Sequence, residues 1–551
     1  MTQHREWSLT EVLDLVTAAA ADRDMFSYEG DRRSFVEVAS RTTRLAAYLR
    51  GRGLGVQRER DQLERWECGQ SRVALVMSNC PEYAESMIGS YRARAVPFNV
   101  NQHYSPREIG ALLAKIGADA IVYHRRYAGV LGEVDGLDGL VLIEVDDGSG
   151  VPPLAGSVGY EQAIVTGGDI AALPATSPDD LFLVCTGGTT GAPKGVLWRQ
   201  ADVYISAMGG TEDASAESIS AAASNGGGIW FAAPPLMHAA SQWTLFAGLL
   251  IGGTVVLHDD SRQFDARELL ETLQRERVNL VSMVGDAYAR PVVEELEAGN
   301  YDLSALVRIG IGGAFTSPDL KARLIELIPQ VTIVDGYGAS ETGGMAYGAS
   351  TSKRAAQSWA PSPGAAVLSA AKDRFLAPGE DEVGWTARVG RVPLGYLDDP
   401  QATARTFPVI DGQRVAVPGD RARLLADGSI VMLGRDSLVV NTGGEKVFVE
   451  EVEEVIRAHP AVLDALVVGR PSERFGQEVV ALVQPRPGAD VTPAEIRTHV
   501  AGSIARFKAP RAVLICDEVR RHTSGKADYV WAREAALGAV EARVDVVEAG
   551  R

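Results

Sequence analysis

Apolar residues at Leu9, Val12, Leu13 and Val16 recur at helical spacing behind Ser8 and Glu11, so the chain opens on a capped amphipathic helix. Ser34 and Glu37 repeat the capping-box spacing ahead of a helix that carries Leu45 and Leu49 and stops at Gly51. From Val73 the pattern alternates: strand 73–77, helix Pro81 to Ala93, strand 96–100, helix Ser105 to Ile116, strand 120–123. Ser105, Pro106 and Glu108 give the last of these helices a cap, a first-turn proline and a box partner. Strands separated by helices of this length predict an α/β fold, a parallel sheet with helices on its faces. Further strands are expected at 181–185, at 229–234, from Val278 to Val284 and from Val307 to Ile311. Three stretches break the pattern. The charge-dense segment Gln57 to Gln70 predicts a solvated insertion, Gly209 to Gly228 a mobile excursion, and Ser350 to Lys372 a variable loop. After Arg435 the period resets into a compact αβ unit, which divides the chain into a large domain, 1–436, and a small one, 437–551.

Composition changes this picture little. At 551 residues, 46% hydrophobic and 23% charged, the chain is an ordinary globular one with room for more than one core. A formal charge of −18 disfavours nucleic acid or an anionic membrane as a partner, while a local basic groove stays compatible with a nucleotide. Cys68, Cys80, Cys185 and Cys516 are scattered without CxxC spacing, and the eight histidines form no HExxH, so disulfides and a protein-ligated metal have little support. The N-terminus is charged and no run of 18 apolar residues occurs, which predicts a cytoplasmic location with no transmembrane segment.

The chemistry concentrates in 181–194, LFLVCTGGTTGAPK. A buried strand ends at Cys185 and runs into Gly187, Gly188 and Gly191, whose missing Cβ atoms let backbone N–H groups approach an anion. Thr186, Thr189 and Thr190 add hydroxyls and Lys194 a mobile positive charge. A Walker A loop requires glycine before the lysine, and Pro193 occupies that place, so an ordinary P-loop NTPase is disfavoured.

Residues Thr186 to Gly195 resemble the T-S-G-T-T-G-x-P-K-G motif of the adenylate-forming, AMP-binding enzymes, with Gly187 in place of the serine. The swap removes one side-chain hydrogen bond, roughly 0.5–1.5 kcal/mol, and keeps the cradle. Tyr337, Gly338, Ala339, Ser340, Glu341 and Thr342 resemble the family's Y-G-x-T-E, Gly419 and Asp420 its T-G-D, and Ser524, Gly525 and Lys526 its late S-G-K. The resemblance implies an acyl-CoA-synthetase-like architecture, with a small mobile C-terminal α+β domain. It implies that Tyr337 stacks on adenine, with Asp335 near the amino group and Gly312, Gly313, Ala314, Gly338, Ser340 and Thr342 around the nucleotide. Asp420 and Arg435 fall on the ribose, and Glu341 holds Mg²⁺. Lys526, Glu341 and Thr189 become catalytic, Ser437 the hinge of the small domain, and His238 a residue of the acid pocket. The turn Asn441 to Lys446 is similar to the family's pantetheine-facing turn, which brings Gly443, Gly444, Glu445 and Lys446 to CoA.

These motifs, together with VGDA at 284–287 and GKADY at 525–529, are similar to those of actinobacterial-type fatty acyl and steroid side-chain CoA ligases. The function implied is an acid:CoA ligase using ATP, Mg²⁺ and CoA on an apolar carboxylate. An acyl-AMP ligase that delivers to a carrier protein or an amine, and a nucleotide-binding non-enzyme, are the alternatives. A homodimer is compatible with all three.

Overall fold

The computed structural model describes residues 5–187, 193–313, 316, 318–352, 359–435, 439–520 and 528–539. Strand Arg72–Val76 lies between Val96–Asn99 and Ala120–His124, and Val141–Val145 and Val158–Gly159 extend the sheet, every pair parallel. This is the parallel sheet expected from the alternation. The capping boxes at Ser8, Ser34 and Ser105 all form, each contributing about 1 kcal/mol to its helix. Leu9, Val12, Leu13 and Val16 are buried along the first helix, where each apolar side chain removed from water contributes about 1.5–3 kcal/mol.

A second, nine-stranded sheet is parallel from Asp24–Tyr28 through Thr254–Leu257, Ile229–Ala232, Leu280–Met283 and Arg308–Gly312 to Thr332–Ala339. One core joins the two sheets, taking Val73, Leu75 and Val122 from the first and Phe26, Val255 and Leu257 from the second. The far face of the second sheet packs Val281, Met283, Ile309, Ile311 and Ile333 against helices Ala266–Arg275, Gly285–Ala298 and Pro318–Leu327. Side chains alternate along a strand, so the residues between these point the other way. They are Ser282, Gly310, Val334, Gly312 and Gly336, held side by side by the register.

Several expectations are corrected. The expected strand at 181–185 forms, but it belongs to neither of the two sheets above. Leu181–Gly187 and Pro193–Arg199 form an antiparallel hairpin in a three-stranded sheet with Gly395–Tyr396, with Thr186 opposite Lys194. The reason is the second apolar run, Val196 to Trp198, which is fully buried and returns along the first. Gly209 to Gly228 is no excursion: Ser215 caps helix Ala216–Asn225, and its buried Ile219 and Ala223 pack in the core beside Leu9–Ala19. Within the expected 350–372 loop, Ala365–Leu368 pairs with Gly384–Val389. The 57–70 insertion is largely solvated as expected, but its base is fixed, because Arg94 donates to both Glu59 and the buried Asp180.

The C-terminal residues build their own sheet from Glu445–Phe448, Val439–Thr442, Gly476–Pro485 and Val462–Ser472, with Ala512–Ile515 parallel to Gly476–Pro485. Two cores there draw only on residues from Val440 to Ala536. The expected boundary and hinge, Ser437, lie outside the described residues. Among the described residues no helix is long and apolar enough to cross a membrane.

Candidate active site

Asn99, at the end of its strand, fixes the start of the site. Its Nδ2 donates to the carbonyls of Cys185 (2.8 Å) and Met237 (2.6 Å), and its Oδ1 accepts from the Cys185 N–H. One buried amide therefore ties the strand that enters the phosphate loop to the residue before His238. The returning strand carries Trp198, whose Nε1 donates to the Ser340 carbonyl at 2.9 Å and fixes the 339–342 turn. Thr342 closes that turn from inside: it is fully buried, and its hydroxyl accepts from the Ala339 N–H at 3.0 Å. Thr342 thereby holds the shape of the turn on which Ser340 and Glu341 sit. Gly338 is obligatory here, since a Cβ would meet the Gly343 carbonyl oxygen at 2.2 Å.

The turn brings two expected residues, Glu341 and Lys194, to one tyrosine. Glu341 Oε1 accepts from the Tyr396 hydroxyl at 2.8 Å, and Lys194 Nζ sits 4.8 Å from the centroid of the same Tyr396 ring. Tyr396 thus sets both the acidic and the basic group. Glu341 is a hard oxygen donor beside a loop suited to phosphates, which fits Mg²⁺ held by one carboxylate and phosphate oxygens. On the neighbouring side the Tyr337 hydroxyl donates to Asp420 Oδ2. Asp420 is buried and stands opposite Arg435 in the strand register. The buried carboxylate of Asp335, two residues before Tyr337, pairs with Lys321 Nζ at 2.8 Å.

Beside this cluster lies a cavity of about 540 Å³, within the usual range for small-molecule sites. Ser282, Gly310, Gly312 and Gly336 floor it, and Trp230, Met237, Trp243 and Val284 give it an apolar wall. Glycine on that sheet face is what leaves the space open: a Cβ on Gly310 would meet nothing nearer than the Val281 carbonyl at 3.9 Å. Cys185 also borders the cavity, where burial pushes its thiol pKa up and makes it a poor nucleophile.

His238, at the N-cap position of helix Ala239–Leu249, lines the cavity and places Nε2 3.5 Å from Glu445 Oε1. Asn101 Nδ2 reaches Glu445 Oε2 at 3.3 Å. Burial alone would raise the Glu445 carboxyl, but His238, His103 and Asn101 outweigh it and hold it below the usual range. Gly443 and Gly444 have φ of +58° and +88°, which lets the 442–445 turn project Gly444 and Glu445 to the cavity mouth.

Of the remaining expected residues, Thr186 and Gly313 also line the cavity. Gly187 sits in the hairpin register opposite Pro193, and Lys446 continues the turn into its strand. Gly188, Thr189, Thr190, Gly191, Ala314, Ser437 and Lys526 lie outside the described residues. Residues missed from sequence are Asn99, Trp198, Tyr396 and Lys321. For Tyr396 the signal was its segment, GYLDD, which resembles the family but carried no assigned role. Asn99 and Trp198 act across more than 80 residues, and nothing local announces them.

Comparison with known proteins places this geometry. Residues 14–380 match the AMP-binding enzyme family and 451–526 the AMP-binding enzyme C-terminal domain. The medium-chain acyl-CoA ligase Mig of Mycobacterium avium is 44% identical over 547 residues, covering 96% of this chain and 98% of that protein. The 3-oxocholest-4-en-26-oate–CoA ligase of Rhodococcus rhodochrous is 36% identical over 545 residues, 95% of each. Among solved structures, an o-succinylbenzoate CoA synthetase (MenE) double mutant from Bacillus subtilis shares the fold at a TM-score of 0.77 and 20% identity, covering 96% of this chain and 99% of that one. Amide bond synthetase McbA from Marinactinospora thermotolerans does so at 0.74 and 22%, covering 95% and 99%. With its glycine-rich hairpin, its Tyr337–Asp420 pair and both halves of its length matched, this chain belongs to the AMP-binding enzyme family.

Proposed function

We propose that the protein is an ATP-dependent acid:CoA ligase that converts an apolar carboxylic acid to its acyl adenylate and then to its CoA thioester. The observation that carries this is the sharing of one cavity by two sets of groups. Thr186, Tyr337 and Ser340 border it on the nucleotide side, and the Gly444–Glu445 turn borders it at the mouth.

In the first half-reaction the substrate carboxylate attacks the α-phosphorus of ATP and pyrophosphate leaves. The glycine-loop N–H groups and Lys194 offset charge on the phosphates, Asp420 accepts from the ribose, and the Tyr337 ring, fixed by its bond to Asp420, lies against the base. Bound through Glu341, Mg²⁺ would supply charge neutralisation on the phosphate oxygens. Lys526 contributes the cation that bridges the carboxylate and the α-phosphate. In the second half-reaction the CoA thiolate attacks the acyl carbonyl and AMP leaves. Rotation about Ser437 exchanges Lys526 for the 442–445 turn, and the orientation described above suits this second step.

CoA as the thiol is supported by a patch beside the turn. The Phe475 carbonyl accepts from Gly443 N–H at 2.9 Å, and the guanidiniums of Arg474 and Arg511 lie 5.1 and 3.7 Å from the Phe475 ring centroid. An aromatic ring flanked by two cations suits a phosphorylated nucleotide. For the acid, the wall of Trp230, Met237 and Trp243 and the relatives named for medium-chain and steroid acids favour a long or bulky apolar chain.

The test is a panel of carboxylic acids scored for pyrophosphate release with and without CoA. Medium-chain or steroid side-chain acids that turn over to thioester support the proposal; adenylation that never consumes CoA sinks the thioester half. Gly310→Phe should fill the cavity floor without displacing backbone. The expected result is a fall of about tenfold or more in kcat/KM for long acids, with short acids spared, since a lost apolar subsite of a few methylenes is worth about 1–3 kcal/mol. Equal losses for short and long acids would move the acyl chain off this face.

A further inference from the structure

Lys508 is an almost fully buried lysine, 5% exposed, where residues 101–108 meet the C-terminal unit. Its Nζ donates to Glu108 Oε1 on helix Pro106–Ile116 and to Glu451 Oε1 on helix Val449–Arg457, both at 2.8 Å. The Tyr104 and Phe507 rings cover it at 4.9 and 5.8 Å, and His103 meets the Phe507 ring edge-on. Burying a cation this deeply is tolerable only while its partners stay in place. Glu108 is held rigidly, because its other oxygen accepts from the Ser105 N–H and hydroxyl in the capping box. Its free oxygen is thereby aimed at Lys508. Glu451 lies in the first turn of the helix that follows strand Glu445–Phe448, so what fixes Glu451 also fixes the turn carrying Gly444 and Glu445. Seven residues before Glu108, Asn101 receives Glu445 itself.

Resting on the ligase reading, we propose that Lys508 is a positioning residue for thiol transfer. Its bridge from Glu108 to Glu451 seats the 442–445 turn at the cavity mouth, and the bridge must open for the adenylating orientation to form. The two orientations are thus balanced by one buried charge cluster rather than by the hinge alone. Weakening the cluster shifts the balance toward adenylation and slows thioester formation.

Glu108→Gln is the cleanest test, because glutamine still closes a capping box while losing the charge that pairs with Lys508. The expected result is ATP–pyrophosphate exchange at or above the wild-type rate, with thioester formation from the same acid down roughly tenfold or more, the range of a charged hydrogen bond. Lys508→Met should give the same split, Lys508→Arg should restore part of the thioester rate, and Glu108→Gln combined with Lys508→Met should cost no more than the worse single change. A purely structural role would lower both half-reactions together. That outcome in Glu108→Gln, or an unchanged thioester rate, overturns the proposal. If wild-type enzyme exchanges pyrophosphate with no acid, the ligase reading fails and takes this inference with it.

Discussion

Lys526→Ala is expected to lower acyl-adenylate formation by about 10²–10³ and to leave thioester formation from supplied acyl-AMP close to wild type, the pattern of one positioned charge that acts in a single step. The lysine follows Ser524 and Gly525 in the motif that resembles the family's late S-G-K, within the matched C-terminal domain. On the proposed mechanism its cation would be needed while a carboxylate attacks a phosphorus that already carries negative oxygens. Once AMP is the leaving group and a thiolate the nucleophile, the mouth of the cavity is faced by Gly444 and Glu445. The measurement compares ATP–pyrophosphate exchange with CoA-dependent consumption of synthetic acyl-AMP in the same variant. Equal loss in both assays would mean that Lys526 serves both steps and that the two orientations do not divide the chemistry.

Much of the fold was legible because its signals are local. The boxes at Ser8, Ser34 and Ser105 each lie within four residues, and between 73 and 123 strands alternate with helices long enough for parallel crossovers. What failed depended on partners far along the chain. The stretch 181–194 reads only as a strand running into a glycine loop, and it is the burial of Val196 to Trp198 that brings the chain back along that strand as a hairpin. Ala-rich 216–225 lacks a strong pattern of its own and is helical because Leu9–Ala19 supplies the surface it covers. The partner of Asp335, Lys321, lies fourteen residues earlier and carried no signal of its own.

The site divides the same way. Glycines and hydroxyls around a phosphate announce themselves in sequence, since that chemistry needs those residue types in one short loop. Side chains that aim the catalytic groups do not. Tyr396 reaches Glu341 across 55 residues, and Lys508 reaches Glu108 across 400. Of the glycines on the cavity floor, Gly310 and Gly336 had no role in the sequence reading and Gly312 was expected at the nucleotide; only the register sets Gly312 beside Gly336.

Asp420→Ala should raise the apparent KM for ATP by roughly 10- to 100-fold, the loss of a charged acceptor worth about 1.5–3 kcal/mol. Asp420 is 4% exposed, accepts from the Tyr337 hydroxyl, and stands across the register from Arg435. Thr386 shares the contact, its hydroxyl lying 3.3 Å from the Tyr337 oxygen. On the proposed reading the carboxylate has two roles to lose: it would receive the ribose hydroxyls, and it fixes the Tyr337 ring that would lie against adenine. Tyr337→Phe separates them, because it keeps the ring and the carboxylate while removing the bond between them. Asp420→Ala should then exceed Tyr337→Phe in its effect on ATP. A further readout isolates the ribose: wild-type enzyme should prefer ATP over 2′-deoxy-ATP, and Asp420→Ala should lose that preference. Should the variant keep the wild-type ratio between the two nucleotides, the carboxylate does not reach the sugar, and Pro418, which stands where the family has threonine, becomes the reason the 418–420 turn sits away from it.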